Sequence, residues 1–228
     1  DSYRIAMYCE KHCRKIRSSP SKLPGEAFFK LKRLLAERKQ YAKHTVLYKQ
    51  QLHDISTSDT DGSRERKQSE LDHLKKMISQ TDAEIHQILK EDPCLHRNYE
   101  LLYSVRGVGL VVALETIILT ENFTSITNPR KYACYIGIAP AKKESGISVR
   151  GGEHVSKKGF TQAKADLSIA CLTALTRDPN IKAYWERRKA EGKKTGVVLN
   201  AIKFKIILRM FAVIKRQKPY IEIDGYRK

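Results

Sequence analysis

Three groups of residues in this chain have types and spacings suited to chemistry. The first is Arg106-Gly107-Val108-Gly109. Gly107 and Gly109 can take backbone angles closed to other residues and leave amide groups uncovered, so a phosphate can approach the N-terminus of the helix that follows, with the Arg106 charge beside it. A plain helical turn would use the same glycines. The second group runs from Arg130 to Lys164, where eight Lys/Arg accompany only Glu144 and Glu153. A basic segment this rich in glycine reads as a loop surface facing a polyanion, the alternative being a solvated basic face. The third group comprises Tyr184 and Trp185 beside Arg187 and Arg188, which either stack on bases or pack between helices with a basic outer rim. Cys9, His12 and Cys13 share a helical face, with Cys94 and His96 as distant partners. No pair has CxxC spacing, so zinc ranks below these readings.

The composition supports a polyanionic partner. The chain has 228 residues, with 44 Lys+Arg against 25 Asp+Glu and a formal net charge of +19. Residues 1–100 carry +5 of that charge and the remainder +14. With 41% hydrophobic residues it can bury a core, which excludes wholesale disorder and a minimal disulfide-stapled domain. No apolar run approaches the ~18 residues of a membrane span, and the start has no signal-peptide pattern. The five scattered cysteines fit free thiols in a reducing compartment. A cytoplasmic protein is therefore expected. Since the first residue is Asp1 rather than Met, the chain is also expected to be a fragment or a trimmed piece.

The elements that must position these groups are mostly helical. Residues 3–17 place Ile5, Cys9, Cys13 and Ile16 at helical spacing before Pro20, Pro24 and Gly25 end the run. From 27 to 54 there is no Pro or Gly, and Phe28, Leu31, Leu34, Leu35, Tyr41, Ala42, Thr45, Tyr48 and Leu52 recur at steps of three and four. A polar turn over 56–63 leads to a second helix ending near Lys90, with Leu71, Leu74, Met77, Ile78, Thr81, Ile85, Ile88 and Leu89 on its stripe. The pair is expected to form an antiparallel coiled-coil arm, able to mediate dimerisation. Beyond it come a helix-hairpin-helix around residues 106–109 and a helix capped by Asn128 with Pro129 in its first turn. A small β-hairpin around Gly151 and Gly152 pairs ISVR with EHVSK. Helices then resume at about 160–176, 179–190 and 195–217. The expected fold class is mainly α, with 1–26 as the end of one domain plus linker, 27–92 as the arm and 93–228 as a helical C-terminal domain.

The order VRGVG (105–109), YACYIGIAP (132–140), Ser145-Gly146 and HVSKKG (154–159) resembles the C-terminal domain of the insertion-sequence transposases of the IS one-ten family, the bridge-RNA-guided DNA recombinases. Order and spacing carry the resemblance, which covers nearly the whole chain. It implies a two-part active site. A RuvC-like domain with four acids in a DEDD pattern holds divalent metal, Mg²⁺, and the C-terminal domain supplies a serine nucleophile. The family's last acid opens a helix in a pattern like Asp-Ala-x-x-Ile-Ala, matched by Asp1-Ser2-Tyr3-Arg4-Ile5-Ala6 with Ser2 replacing the usual Ala. Asp1 is then the final metal-binding carboxylate; from residues alone it is an ordinary helix N-cap. The other three acids have no counterpart here, so the fragment alone is expected to be inactive. The Pro-x4-Ser-Gly spacing places the nucleophile at Ser145, with Ser148 and Ser156 as competitors. Lys142, Lys143, Arg150, Lys157 and Lys158 are near enough in sequence to offset phosphoryl charge, and Arg106, Gly107 and Gly109 complete the expected DNA- or RNA-binding set. His154 stands where the family often has a basic or small residue, and an exposed hairpin histidine is its plainer reading.

Two function classes follow. One is a recombinase that forms a phosphoserine link to DNA through Ser145, acting as a homodimer and then a homotetramer with a noncoding bridge RNA that selects sequence by base pairing. The other is a non-catalytic module that binds nucleic acid and oligomerises. Adduct formation separates them.

Overall fold

The computed structural model describes residues 1–18, 24–54, 61–141, 144–145, 149–150, 154–155 and 159–221. The chain is mainly α. In order the elements are α1 (Ser2–Ser18), α2 (Glu26–Asp54), α3 (Asp61–Glu91), α4 (Pro93–Tyr103), α5 (Leu110–Leu119), α6 (Pro129–Tyr135), β1 (Pro140–Ala141), β2 (Glu144–Ser145), β3 (Val149–Arg150), β4 (His154–Val155), α7 (Thr161–Arg177), α8 (Pro179–Ala190) and α9 (Thr195–Arg216).

Three helices begin with one local device. Asp92, Asn128 and Asp178 each hold an extended backbone and accept hydrogen bonds from amides two and three residues on, and each precedes a proline. The side chain satisfies amides that lack a partner within the helix, and proline at the first position forfeits an amide that would have had none. Asn128 and Pro129 act as their sequence predicts. At its other end α9 stops on Gln217, which is left-handed at φ 52. Arg97 of α4 donates to the Gln217 side chain and to its carbonyl, both at 2.9 Å. Gln217 in turn donates to Asn98, and the Tyr220 amide donates to the Ser104 hydroxyl. The exit of α9 is thereby pinned to α4.

α2 and α3 lie against each other in opposite directions. Arg38 bonds Asp82 through both nitrogens of its fork, while Leu31 and Leu35 share a buried cluster with Ile85 and Leu89. That cluster continues through Tyr99 and Leu102 of α4, Leu114 and Ile117 of α5, Leu167 and Cys171 of α7, and Ile202, Ile206, Ile207 and Met210 of α9. The root of the helix pair is thus seated in the same core as the C-terminal helices. Farther out, Val46 and Leu47 are exposed. Apart from the half-buried His12, α1 is exposed along its described side chains, Tyr3, Ile5, Met7 and Tyr8 among them.

The strands correct one expectation. Ala141 pairs with His154 and Pro140 with Val155, while Glu144 pairs with Arg150 and Ser145 with Val149, all antiparallel. ISVR therefore pairs back onto Glu144-Ser145, and HV pairs with Pro140-Ala141, in place of the expected pairing of ISVR with EHVSK across Gly151 and Gly152. Alternation alone gives strand character and leaves the partner open, since period-two patterning constrains faces and not neighbours.

Candidate functional site

The turn between α4 and α5 is built on Gly107, which has φ +89. A β-carbon there would lie 2.6 Å from the Ala170 carbonyl oxygen and 2.8 Å from the Ala174 β-carbon, so glycine at 107 lets the turn press directly onto α7. Arg106 donates from its guanidinium to the Arg177 carbonyl at 2.5 Å and closes the C-terminal end of α7. Gly109 is different. It is the N-cap residue of α5, makes no side-chain capping bond, and has open space where a β-carbon would sit. Of the three residues expected to meet phosphate, Gly109 thus has the open backbone, whereas Gly107 and Arg106 are engaged with α7.

Gly107 and Gly109 line a groove of about 940 Å³ between α2, α5 and α7. Its wall carries Arg38, Lys43 and Arg177 with the apolar surfaces of Val46, Leu110, Val111 and Ile169. Beside it Lys39 reaches from α2 to two carboxylates on different helices: Glu115 of α5 at 2.5 Å and Asp166 of α7 at 2.8 Å. The Glu115 side chain is only 7% exposed. Burial pushes its carboxyl up to about 7; the Lys39 hydrogen bond opposes that and the neighbouring Asp166 adds to it. Motif spacing does not point to this cluster, although an acid inside the apolar run LVVALETIIL is a signal that could have found it. A carboxylate in such a run must be paired.

Ser145 ends β2 opposite Val149, and Arg150 lies opposite Glu144. The backbone therefore brings Ser145 and Arg150 into one short ladder. Lys142, Lys143, Lys157, Lys158, Ser148 and Ser156 lie outside the described residues. Asp1 stands exposed at the head of α1, and its carbonyl accepts from the Ile5 amide at 3.1 Å. Among the described residues no three His, Cys, Asp or Glu side chains are placed to hold a metal ion. The weaker zinc reading, built on Cys9, His12 and Cys13 with Cys94 and His96, therefore finds no support there. Mg²⁺ takes about six oxygen ligands. Asp1 alone does not make such a site.

Tyr184 and Trp185 are half-buried and pack on the core. Both rings carry cations, Lys205 over Tyr184 at 4.4 Å and Lys189 over Trp185 at 5.9 Å. No described helix is long and apolar enough to cross a membrane.

Residues 99–186 match the family model described as the transposase IS116/IS110/IS902 family, a span that includes the α4–α5 turn, the strand ladder, α7 and most of α8. The chain is 25% identical over 149 residues to a pilin gene-inverting protein of Moraxella lacunata, an alignment covering 65% of this chain and 46% of the relative. It is 28% identical over 134 residues to an uncharacterized 43.6 kDa protein of insertion element IS110 from Streptomyces coelicolor, covering 59% and 32%. With an uncharacterized 42 kDa protein of insertion element IS900 from Mycobacterium paratuberculosis it shares 22% over 144 residues, covering 63% and 35%. The chain spans less than half the length of each of these relatives. The motif order, the helical frame and these matches agree in likening the segment 99–186 to the transposase domain of the IS116/IS110/IS902 family.

Proposed function

We propose that this chain is the C-terminal part of a transposase that cleaves and rejoins DNA of a mobile insertion sequence through Ser145. The observation that carries this reading is the position of Ser145, inside the matched transposase segment and at the end of a strand ladder in a basic stretch of the chain. In the step envisaged, the Ser145 oxygen attacks a phosphodiester phosphorus and gives up its proton to a base. The bond from phosphorus to one deoxyribose oxygen breaks, and that oxygen leaves as a hydroxyl after taking up a proton. Phosphoserine then holds one DNA end until a second DNA hydroxyl reverses the exchange. Arg150, with Lys142, Lys143, Lys157 and Lys158, offsets charge on the phosphoryl oxygens, while Gly109 and the amides opening α5 take a backbone phosphate, with Arg106 and Gly107 fixing the turn.

Mg²⁺ belongs to this reading through Asp1 and acids outside the chain, so these residues alone are inactive. Residues 1–26 end the metal-binding domain, 27–92 form the coiled-coil arm through which the protein dimerises and then tetramerises, and 93–228 form the transposase domain. A noncoding bridge RNA selects the DNA, and the protein works in the cytoplasm on the nucleoid. The test is Ser145→Ala in the full-length protein. Loss of a covalent protein–DNA adduct with nucleic-acid binding retained supports the reading, and persistence of the adduct overturns it. A second reading, a non-catalytic binding and oligomerisation module, draws on the finding that among the described residues no three His, Cys, Asp or Glu side chains are placed to hold a metal ion. It predicts binding without metal and without any adduct.

A further inference from the structure

Tyr184 of α8 is surrounded by cations. The Lys205 ammonium of α9 lies 4.4 Å from the centre of its ring, and the guanidinium carbons of Arg187 and Arg188 lie 5.7 and 5.8 Å away. Lys189 covers the adjoining Trp185, and Arg209, one turn beyond Lys205, lies 4.9 Å over Tyr220. Two carboxylates face this group. Glu191 bonds Arg188 at 2.7 Å and lies 3.9 Å from Arg187, and Asp178 holds Arg209. Glu186 on α8 is exposed. Lys205 has no carboxylate partner among the described residues, and its ammonium is held below the usual lysine range by burial first, then by repulsion from Arg209, Arg187 and Arg188.

Like charges gathered this closely oppose one another in the free chain, and a ring face returns only part of that cost. Arg209 pairs with the buried Asp178, but Arg187, Arg188 and Lys205 have no such role, since the apolar contact between the helices is made by Ile181, Ile202 and Ile206. A polyanion laid across the group would relieve the repulsion. Tyr184 is half-buried and its ring is already covered, so it serves to array the cations and is poorly placed to stack on a base.

We propose that the second half of α8 and the middle of α9, centred on Arg187, Arg188 and Lys205 around Tyr184, form a surface for the phosphodiester backbone of a nucleic acid, separate in sequence from the Ser145 segment. It rests on the reading of the chain as a nucleic-acid enzyme. It reads no bases and acts through charge.

The test measures affinity of the 228-residue chain for a labelled DNA duplex and a labelled RNA hairpin across a range of salt. Arg187→Gln with Lys205→Gln should lower the slope of log affinity against log salt by about 2 on duplex DNA and weaken binding about tenfold or more at fixed salt. A control pair removing equal charge from α3, Arg64→Gln with Lys76→Gln, should leave the slope nearly unchanged. Lys205→Gln alone should melt at or above the temperature of the parent, because it removes a repelled charge. A loss on either probe supports the surface, and the probe affected identifies DNA or RNA as the ligand. Equal slopes for the two pairs overturn it, as does a lower melting temperature for Lys205→Gln with binding intact. Absence of binding by the unaltered chain overturns it as well. The adduct assay on Ser145→Ala is independent of all these outcomes.

Discussion

Lys39 of α2 donates to Glu115 of α5 across 2.5 Å, and the two residues are separated by 76 positions in the chain. This contact, shared with Asp166, fastens the long helix pair to the domain that holds Ser145. The carboxyl it engages keeps its proton to a pH at which ordinary carboxyls have long been ionised.

That gives the fold a defined dependence on pH. With Glu115 raised from 4.5 to about 7, the native chain retains a proton that the unfolded chain releases. Stability from this group is fully present below about pH 4.5 and is lost as pH rises through about 7. Glu115→Gln should flatten that decline, and urea midpoints taken across the window for both proteins check it. Parallel curves would show that the group does not carry the dependence.

Gly107→Ala should destabilise the chain by about 3 kcal/mol, from a left-handed backbone and a β-carbon driven against α7. Gly109→Ala, with open space at the same atom, should cost less than about 1 kcal/mol. Urea denaturation of the two variants side by side measures the difference.

Asp178 is buried, caps α8 through two amides and holds Arg209. Asp178→Ala removes the cap and strands a guanidinium, for a loss of about 3 kcal/mol or more. Asp178→Asn keeps an acceptor for the amides and should lose less. The ordering of the two melting temperatures is the check.

In full-length protein, Ser148→Ala and Ser156→Ala should each retain the covalent DNA adduct that Ser145→Ala abolishes. Denaturing gels of labelled DNA after incubation report all three. An adduct lost only with Ser156→Ala would move the nucleophile into the HVSKKG segment.

Helix positions are readable in the chain because their signals are local. The apolar stripe Val198, Ile202, Ile206, Ile207, Met210 and Val213 is buried residue for residue in α9, and Asn128-Pro129 marks a helix start in the sequence itself. What escapes the sequence depends on contacts between segments. Nothing near Gly107 in sequence says that Ala170 and Ala174 will press on it. The partners of Lys39 lie on two other helices, and strand alternation cannot choose between Glu144-Ser145 and His154-Val155 as the neighbour of Val149-Arg150. Asp92-Pro93 carries the same local start signal as Asn128-Pro129, so α4 begins well before the Tyr99 at which the apolar pattern of the C-terminal half becomes plain. Motif spacing within a family resemblance is what singles out Ser145; its neighbours' residue types alone would leave it a turn serine.

The clamp between α4 and the end of α9 has a mechanical consequence. Arg97 and Asn98 grip Gln217, and Ser104 grips the Tyr220 amide, so the two ends of the 93–220 segment are tied to each other by four hydrogen bonds. Tension applied between the start of α4 and whatever follows Tyr220 loads these four bonds directly, because they join the two ends of that segment.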